Sequence, residues 1–392
     1  MDEHWEANVT DRIHEIRQLE QRHVIGLNIG TSLDGIDAAL LKVQGSGLEA
    51  IFGLEAFEMF PLPARLKRFL IDPLTLKVRD LAFLHRDLGQ LLAEACSHLT
   101  DRSGLKAQDI HLVGSHGVTV FHEPPRHDVE RGVSVQLGDP AIIAERTGAI
   151  VVSNFRAADL AAGGQGAPIM PFLDYHLFRS EPGTMLLNLG GIGNVCYVGA
   201  SPEEVIAFDT GPANLPLNEL TRILTNDKES FDRDGKLASM GTIDNLLLEQ
   251  FTKQPFLEMP PPKSTGREEF GEEWVASLLA RNKHRNLIDI LATMTVFVAH
   301  AVKKGYDEWI APRPLRRVVV SGGGTHNQTL IHHLRRRFDP VPVESLMDHG
   351  HDPDAKEAIL FAMLANDRIF DHPTSLPSAT GALWPVSLGQ IS

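Results

Sequence analysis

Two clusters in this sequence carry more polar functionality than their local structure needs. The first is Gly30-Thr31-Ser32-Leu33-Asp34-Gly35-Ile36-Asp37, set between two apolar runs. Glycines at 30 and 35 let the backbone come close to a ligand. Backbone N–H groups and the Thr31 and Ser32 hydroxyls could hold phosphate oxygens, while a carboxylate of the turn, Asp34 or Asp37, could hold a hydrated Mg²⁺. The plain alternative is an ordinary β-hairpin with Asp-Gly in its turn. The second cluster is Phe208-Asp209-Thr210-Gly211-Pro212-Ala213-Asn214, in which Asp209 ends an apolar run. A carboxylate placed there can act as general base on a hydroxyl or water within hydrogen-bond reach. Its plain alternative is an Asx-turn, the side chain bonding the backbone two residues on.

Two further stretches are candidates. Ile110 to Thr119 delivers Ser115 and His116 into a glycine-flanked turn, where His116 could contact a ligand or cap the turn. In Phe155 to Pro168, Arg156 and Asp159 could pair at i, i+3 on a helical turn. Gly163, Gly164 and Gly166 are too dense for a packed helix and predict a ligand-touching loop or a hinge. Two look-alikes are set aside. His85-Arg86-Asp87-Leu88 imitates a kinase catalytic loop but lacks that motif's Asn, so it reads as a solvated helix face. Asp348-His349-Gly350-His351-Asp352 lacks zinc-site spacing.

Three strand exits position these groups. Val24–Gly30, Met185–Gly191 and Val318–Gly324 are β-prone runs that break into glycine, and the last two close with Asn194 and Asn327. In the first, Asp34-Gly35 is expected to supply the φ > 0 position of the returning turn. Helical spacing of Leu81, Leu84, Leu88, Leu91, Leu92 and Ala95 predicts a helix over 81–99. A second helix, 286–304, has Asn286 as cap, Lys303 and Lys304 in its last turn and Gly305 as terminator. Pro255 to Pro262 reads as a rigid surface loop. Strands, glycine loops and helices in alternation predict an α/β protein with sheets covered by helices.

At 392 residues the chain exceeds a single core and predicts two domains. A net charge of −14 argues against nucleic acid and anionic membrane surfaces as partners. Cys96 and Cys196 both sit in apolar sequence and suit buried, reduced thiols. No window reaches the ~18 apolar residues of a membrane span. Residues 1–23 are acidic and polar, unlike a secretory signal or transit peptide, and predict a solvated helical extension. The expected location is cytoplasmic.

Taken in order, the segments resemble the anhydro-N-acetylmuramic acid kinase family, within the superfamily of sugar kinases, actin and heat-shock ATPases. The resemblance rests on GTSLDGID (30–37), GSHGVT (114–119), QLGDPA (136–141), FRAADLAAGGQGAP (155–168), NLGGIGN (188–194) and FDTGPAN (208–214). It continues through KSTGREEF (263–270), GGGTHN (322–327), KEA (356–358) and LPSATGA (376–382). It implies a two-domain α/β fold of the actin/hexokinase-like ATPase type, with mixed sheets flanked by helices and a cleft between domains. The implied division is an extension (1–23), a first domain (24–152 with 372–392) and a second domain (153–371).

The resemblance also implies roles. Gly30, Thr31, Ser32, Leu33, Asp34, Gly35, Ile36 and Asp37 form the first ATP-phosphate hairpin, with Asp34 the Mg²⁺ partner. Gly190, Gly191 and Asn194 belong to the second phosphate loop, and Gly322, Gly323 and Asn327 to the nucleoside side. Asp209 becomes the catalytic base, and Arg156, Asp159 and Glu357 the sugar contacts. Water would attack the anomeric carbon of a 1,6-anhydro sugar, and the released O6 would take the γ-phosphoryl of ATP. A homodimer is implied. The chain departs from the family pattern at Asn28-Ile29, Val118, Ala213 and Asn218. These departures bear on which sugar is used, and levoglucosan kinase is the related branch acting on 1,6-anhydroglucose. Readings of another kind are a non-catalytic actin-like ATP switch and a hexokinase-like enzyme acting on a free hydroxyl.

Overall fold

The structure is a computed structural model, and it describes residues 4–30, 33–125 and 131–392. Thr31 and Ser32, two of the expected ATP contacts, lie outside the described residues. In chain order the strands are β1 (Gln21–Ile29), β2 (Gly35–Gln44), β3 (Ile51–Pro61), β4 (Ile110–Glu123), β5 (Val133–Leu137), β6 (Ile150–Ser153), β7 (Thr184–Leu189), β8 (Ile192–Val198), β9 (Ile206–Pro212), β10 (Arg317–Ser321), β11 (Val343–Ser345) and β12 (Gln390–Ile391). The expected α/β architecture, with mixed sheets flanked by helices, is what these elements build.

The chain divides into two compact units, one formed by residues 1–176 and 354–392, the other by 177–353. The first unit holds a sheet in the order β12-β6-β4-β1-β2-β3, with β5 paired to β4. β1 runs antiparallel to β2 and parallel to β4, so the sheet is mixed. Successive strand residues face opposite sides. Ile25, Leu27 and Ile29 therefore join one core with Leu84, Leu88, Leu92 and Leu99 of the helix Val78–Arg102. The intervening Gly26 faces the helix Lys356–Ile369, so closely that a Cβ there would lie 1.8 Å from the Ala358 carbonyl oxygen. Gly114, its register partner on β4, meets the Phe361 carbonyl oxygen in the same way at 2.0 Å.

The second unit holds the sheet β11-β10-β7-β8-β9. β10 is parallel to both β11 and β7, whereas β7–β8 and β8–β9 are antiparallel. The helix Leu287–Gly305 is buried along most of its length and anchors this core through Leu291, Met294, Phe297 and Val298.

Several expectations change on contact with this fold. The unit boundaries fall at 176/177 and 353/354, whereas the sequence placed them at 152/153 and 371/372. Residues 153–176 stay with the first unit because they bond to its C-terminal segment: Gln165 N–H donates to Thr380 O at 2.8 Å, and Leu383 N–H to Ala162 O at 3.0 Å. Residues 354–371 stay because their helix lies on β1 and β4. The N-terminal helix His4–Gln18 is not simply solvated, since Ile16 is buried and Arg17 Nε donates to Ile369 O. Asn286 caps its helix as expected, accepting from Ile288 N–H at 3.2 Å. The α-helix ends at Gly305 as expected, but not through a left-handed glycine: its φ is −58°, the chain continues into a π-helical turn at Tyr306–Ile310, and the Phe208 ring packs where a Gly305 side chain would stand. The 255–262 stretch is likewise not all surface, for Phe256 and Leu257 are buried.

Candidate functional site

The candidate residues form two groups, one in each unit. In the second unit, β7 and β10 run side by side with Asn188 opposite Ser321. The glycine exits that follow both strands are consequently neighbours. Gly322 has φ +80°, and a Cβ there would lie 2.5 Å from Asn188 Oδ1. Gly324 packs as tightly on Leu189, whereas nothing comes nearer than 4.0 Å to the open side of Gly323. Gly190 and Gly191 turn β7 into β8, and their carbonyls accept N–H groups of Asn214 and Ala213 at 3.0 Å each. Asn194 sits on β8 opposite Asp209. Asn327 is used differently from expectation: it is buried, and its Oδ1 caps the helix Gln328–Phe338 by accepting from Leu330 N–H at 3.0 Å. The bare, open backbone at Gly323 fits an approaching nucleotide. The side chain of Asn327 is committed to the helix.

Asp209 lies on β9, half-buried. Its N–H donates to Lys263 O at 3.0 Å and its Oδ2 accepts from Thr265 N–H at 2.9 Å, while no described residue bonds Oδ1. Burial pushes its carboxyl up to about 6, against the opposing pull of the Thr265 N–H and the Lys263 ammonium. The Asx-turn alternative does not describe it, because its partner lies 56 residues away. A carboxylate titrating near 6, with one oxygen held and the other open, can take a proton from water. The Lys263–Thr265 segment that holds it was visible in the sequence only as part of the KSTGREEF motif. A lone lysine there carries no signal of burial.

In the first unit the hairpin brings Asp34, Asp37, Asn28 and Glu357 together. The φ > 0 position is not at Asp34-Gly35 but at Leu33, with φ 57°, whose N–H closes onto Gly30 O at 3.0 Å. Gly35 is already in β2, and it is glycine because a Cβ would lie 2.6 Å from Phe60 O. Ile36 is fully buried and serves the core rather than a ligand. Asp34 is exposed with no hydrogen-bond partner among the described residues. Asp37 is half-buried opposite Asn28, and burial, reinforced by Glu357, Asp354 and Asp34, raises it to about 6. Asn28 Nδ2 donates to Glu357 Oε2. Desolvation raises the Glu357 carboxyl against the pull of Arg156, Lys356 and the Asn28 hydrogen bond, although the residue keeps an exposed face.

No group of three or more His, Cys, Asp or Glu side chains is arranged to hold a metal among the described residues. Mg²⁺ ordinarily needs only one or two carboxylates besides phosphate and water, and the open Asp34 carboxylate fits that requirement. The Asp348–Asp352 cluster does other work: Asp348 accepts from Ser345 N–H and His349 pairs with Glu344 at 3.0 Å.

Arg156 donates to Gly166 O at 2.7 Å and to His116 Nε2 at 3.3 Å. His116 stacks on Phe361 with centroids 4.4 Å apart, and burial beside Arg156 drives its pKa well below the ordinary value, so it is neutral. Asp159 does not form the expected ion pair with Arg156. Its oxygens accept from Gly166 N–H at 2.8 Å and Thr380 Oγ1 at 2.7 Å, and it is fully buried. Asp159 shapes the glycine loop. Arg156, half-buried, is the member of the pair left near Glu357.

The description Anhydro-N-acetylmuramic acid kinase belongs to the family whose profile matches residues 22–392. A curated protein of that name from Caldanaerobacter subterraneus subsp. tengcongensis is 43% identical over 97% of this chain and 100% of its own length. One from Salinibacter ruber is 40% identical over 97% and 99%, and one from Gloeobacter violaceus is 42% identical over 94% and 97%. The order of motifs, the paired glycine exits and these similarities over nearly the whole length agree. The chain belongs to the anhydro-N-acetylmuramic acid kinase family.

Proposed function

We infer that this chain is an ATP-dependent kinase that hydrolytically opens the 1,6-anhydro ring of anhydro-N-acetylmuramic acid and phosphorylates O6. The products are N-acetylmuramic acid 6-phosphate and ADP. The observation that carries the chemistry is Asp209, with Oδ2 held by a backbone N–H and Oδ1 open. In the reading proposed here Oδ1 takes the proton of a water as its oxygen bonds to the anomeric carbon. The C1–O6 bond breaks, and O6 bonds to the γ-phosphorus as ADP leaves. Phosphoryl transfer asks mainly for positioning and charge neutralisation. Gly190, Gly191, Asn194, Gly322 and Gly323 are assigned to the nucleotide, as is the hairpin from Gly30 to Asp37. Asn327 acts on it only by fixing the helix that follows. Mg²⁺ held through Asp34 would neutralise phosphate charge. Arg156 and Glu357 are assigned to the sugar, with Asp159 positioning the loop beside them.

No helix among the described residues is long and apolar enough to cross a membrane, and we assign the reaction to the cytoplasm, where ATP is made. A homodimer is the assembly the family resemblance supports. The test is mass spectrometry of products formed from ATP, Mg²⁺ and the anhydro sugar in H₂¹⁸O. The expected product is a 6-phosphate carrying one ¹⁸O at the anomeric carbon. A phosphorylated product without solvent oxygen, or turnover with levoglucosan alone, would overturn the assignment.

A further inference from the structure

Lys263 is 6% exposed, and among the described residues its Nζ donates only to the carbonyls of Phe256 and Leu257, at 3.1 and 3.2 Å. The rings of Phe256, Phe208 and Trp309 surround it, their centroids 4.8, 5.7 and 6.0 Å from Nζ. A buried ammonium without a carboxylate against it is costly, and here carbonyl dipoles and ring faces offset part of that cost. The same segment embraces Asp209 twice, through Lys263 O and Thr265 N–H, while Phe208 joins the lysine's box to the carboxylate's own backbone. Further along, Glu268 folds over Gly266, where a Cβ would lie 2.4 Å from Oε2, and Thr265 Oγ1 donates to Glu269 at 2.8 Å. Neither Lys263 nor Glu268 has a task in the phosphoryl-transfer scheme.

We propose that Lys263 is a positioning residue for the base: its buried ammonium, held by the Phe256 and Leu257 carbonyls, pins residues 263–265 against Asp209, and the charges this segment carries on Lys263 and Glu268 act on the Asp209 carboxylate. The inference rests on Asp209 being the base. Lys263 favours the ionised carboxylate and Glu268 disfavours it, and they are the charged groups that act on Asp209. Lys263 in turn faces Glu308, Lys304 and Glu258 besides Asp209. Lys304 is held by Glu258 at 3.1 Å and by Glu308, so that neighbouring trio carries one net negative charge, which balances part of the Lys263 ammonium.

The experiment is kcat against pH for the full chain at saturating ATP and anhydro sugar, with folding checked by circular dichroism. Lys263→Gln keeps donors for the two carbonyls but removes the charge, and its acid limb should rise by about half a pH unit. Lys263→Arg keeps the charge and should restore the wild-type limb. Glu268→Gln should move the limb down, opposite to Lys263→Gln. Because Glu268 is exposed, that variant folds even if a change at the buried lysine does not, and it then decides alone. An acid limb at the wild-type pH in either folded neutral variant overturns the proposal. Failure of the base assignment reads differently: Asp209→Asn would then keep the wild-type activity and profile.

Discussion

At the residue scale, Asp209 combines two properties in tension. It is half-buried, which disfavours its charge, and in the proposed role of base it must be charged to accept a proton. Asp209→Asn is therefore expected to lower turnover by about a thousandfold or more while raising stability. The folded-state pKa, about 6 against 3.8, means that the folded protein holds this proton more tightly than the unfolded chain. The carboxylate thus costs stability above pH 6, and the cost fades as pH falls toward 4. Removing the charge should recover on the order of 2 kcal/mol at neutral pH, read as a higher Tm at pH 7.5 and little change at pH 4. For the wild type, kcat should fall as pH drops through about 6, because the base becomes protonated. A D209N protein with the wild-type Tm and full turnover would contradict both halves. The apolar run before Asp209 singled it out in the sequence but left the Asx-turn open, and the role of base came only with the family resemblance. Asp159 was misread because local spacing announces neither partner: Gly166 N–H comes from the glycine loop that folds back on it, and Thr380 from a segment 221 residues away.

At the scale of elements, the helix Lys356–Ile369 carries Glu357 and is fixed by two glycines facing it from adjacent strands. With no side chain at Gly26 or Gly114, backbone lies directly on backbone, which delivers Glu357 to Asn28. Gly26→Val should displace the helix, cost about 3 kcal/mol or more in urea unfolding, and raise KM for the sugar. Unchanged stability would show that the helix has room to yield. This helix was hard to read from sequence, since nearly every residue from Ala358 to Ile369 is buried. A helix buried on all sides has no polar stripe, so the period that betrayed Val78–Arg102 is missing, and unlike Leu287–Gly305, buried nearly as fully, it has no side-chain cap to announce its start. The strand exits at Gly191 and Gly324 were legible because glycine after a β-prone run is a local signal. Their adjacency was not, because it depends on β7 pairing with β10 across more than a hundred residues.

For the whole molecule, the second unit is one continuous stretch, 177–353, inserted into the first. Just before the chain leaves and just after it returns, Asp174 and Lys356 form a buried ion pair at 2.5 Å. Breaking it from one side strands a buried charge. Lys356→Met should cost about 3–5 kcal/mol, and adding Asp174→Leu should recover most of the loss. Chemical denaturation of the single and double variants measures this directly. A double variant no more stable than the single one would show that the pair's geometry, not its charge balance, matters. The sequence misplaced the boundaries because both crossings lie inside segments whose loyalty is settled by packing, not by composition.

That ion pair also bears on how the polymer is assembled. To the first unit, everything between Asp174 and Lys356 is a single long loop whose two ends must meet. Closure entropy grows only with the logarithm of loop length, about 0.6 kcal/mol for each doubling. The inserted stretch could therefore lengthen or shorten considerably at little cost to the first unit, provided its ends still return to that clasp. Changes in chain length among relatives should be tolerated best inside 177–353 and worst within a few residues of Asp174 and Lys356.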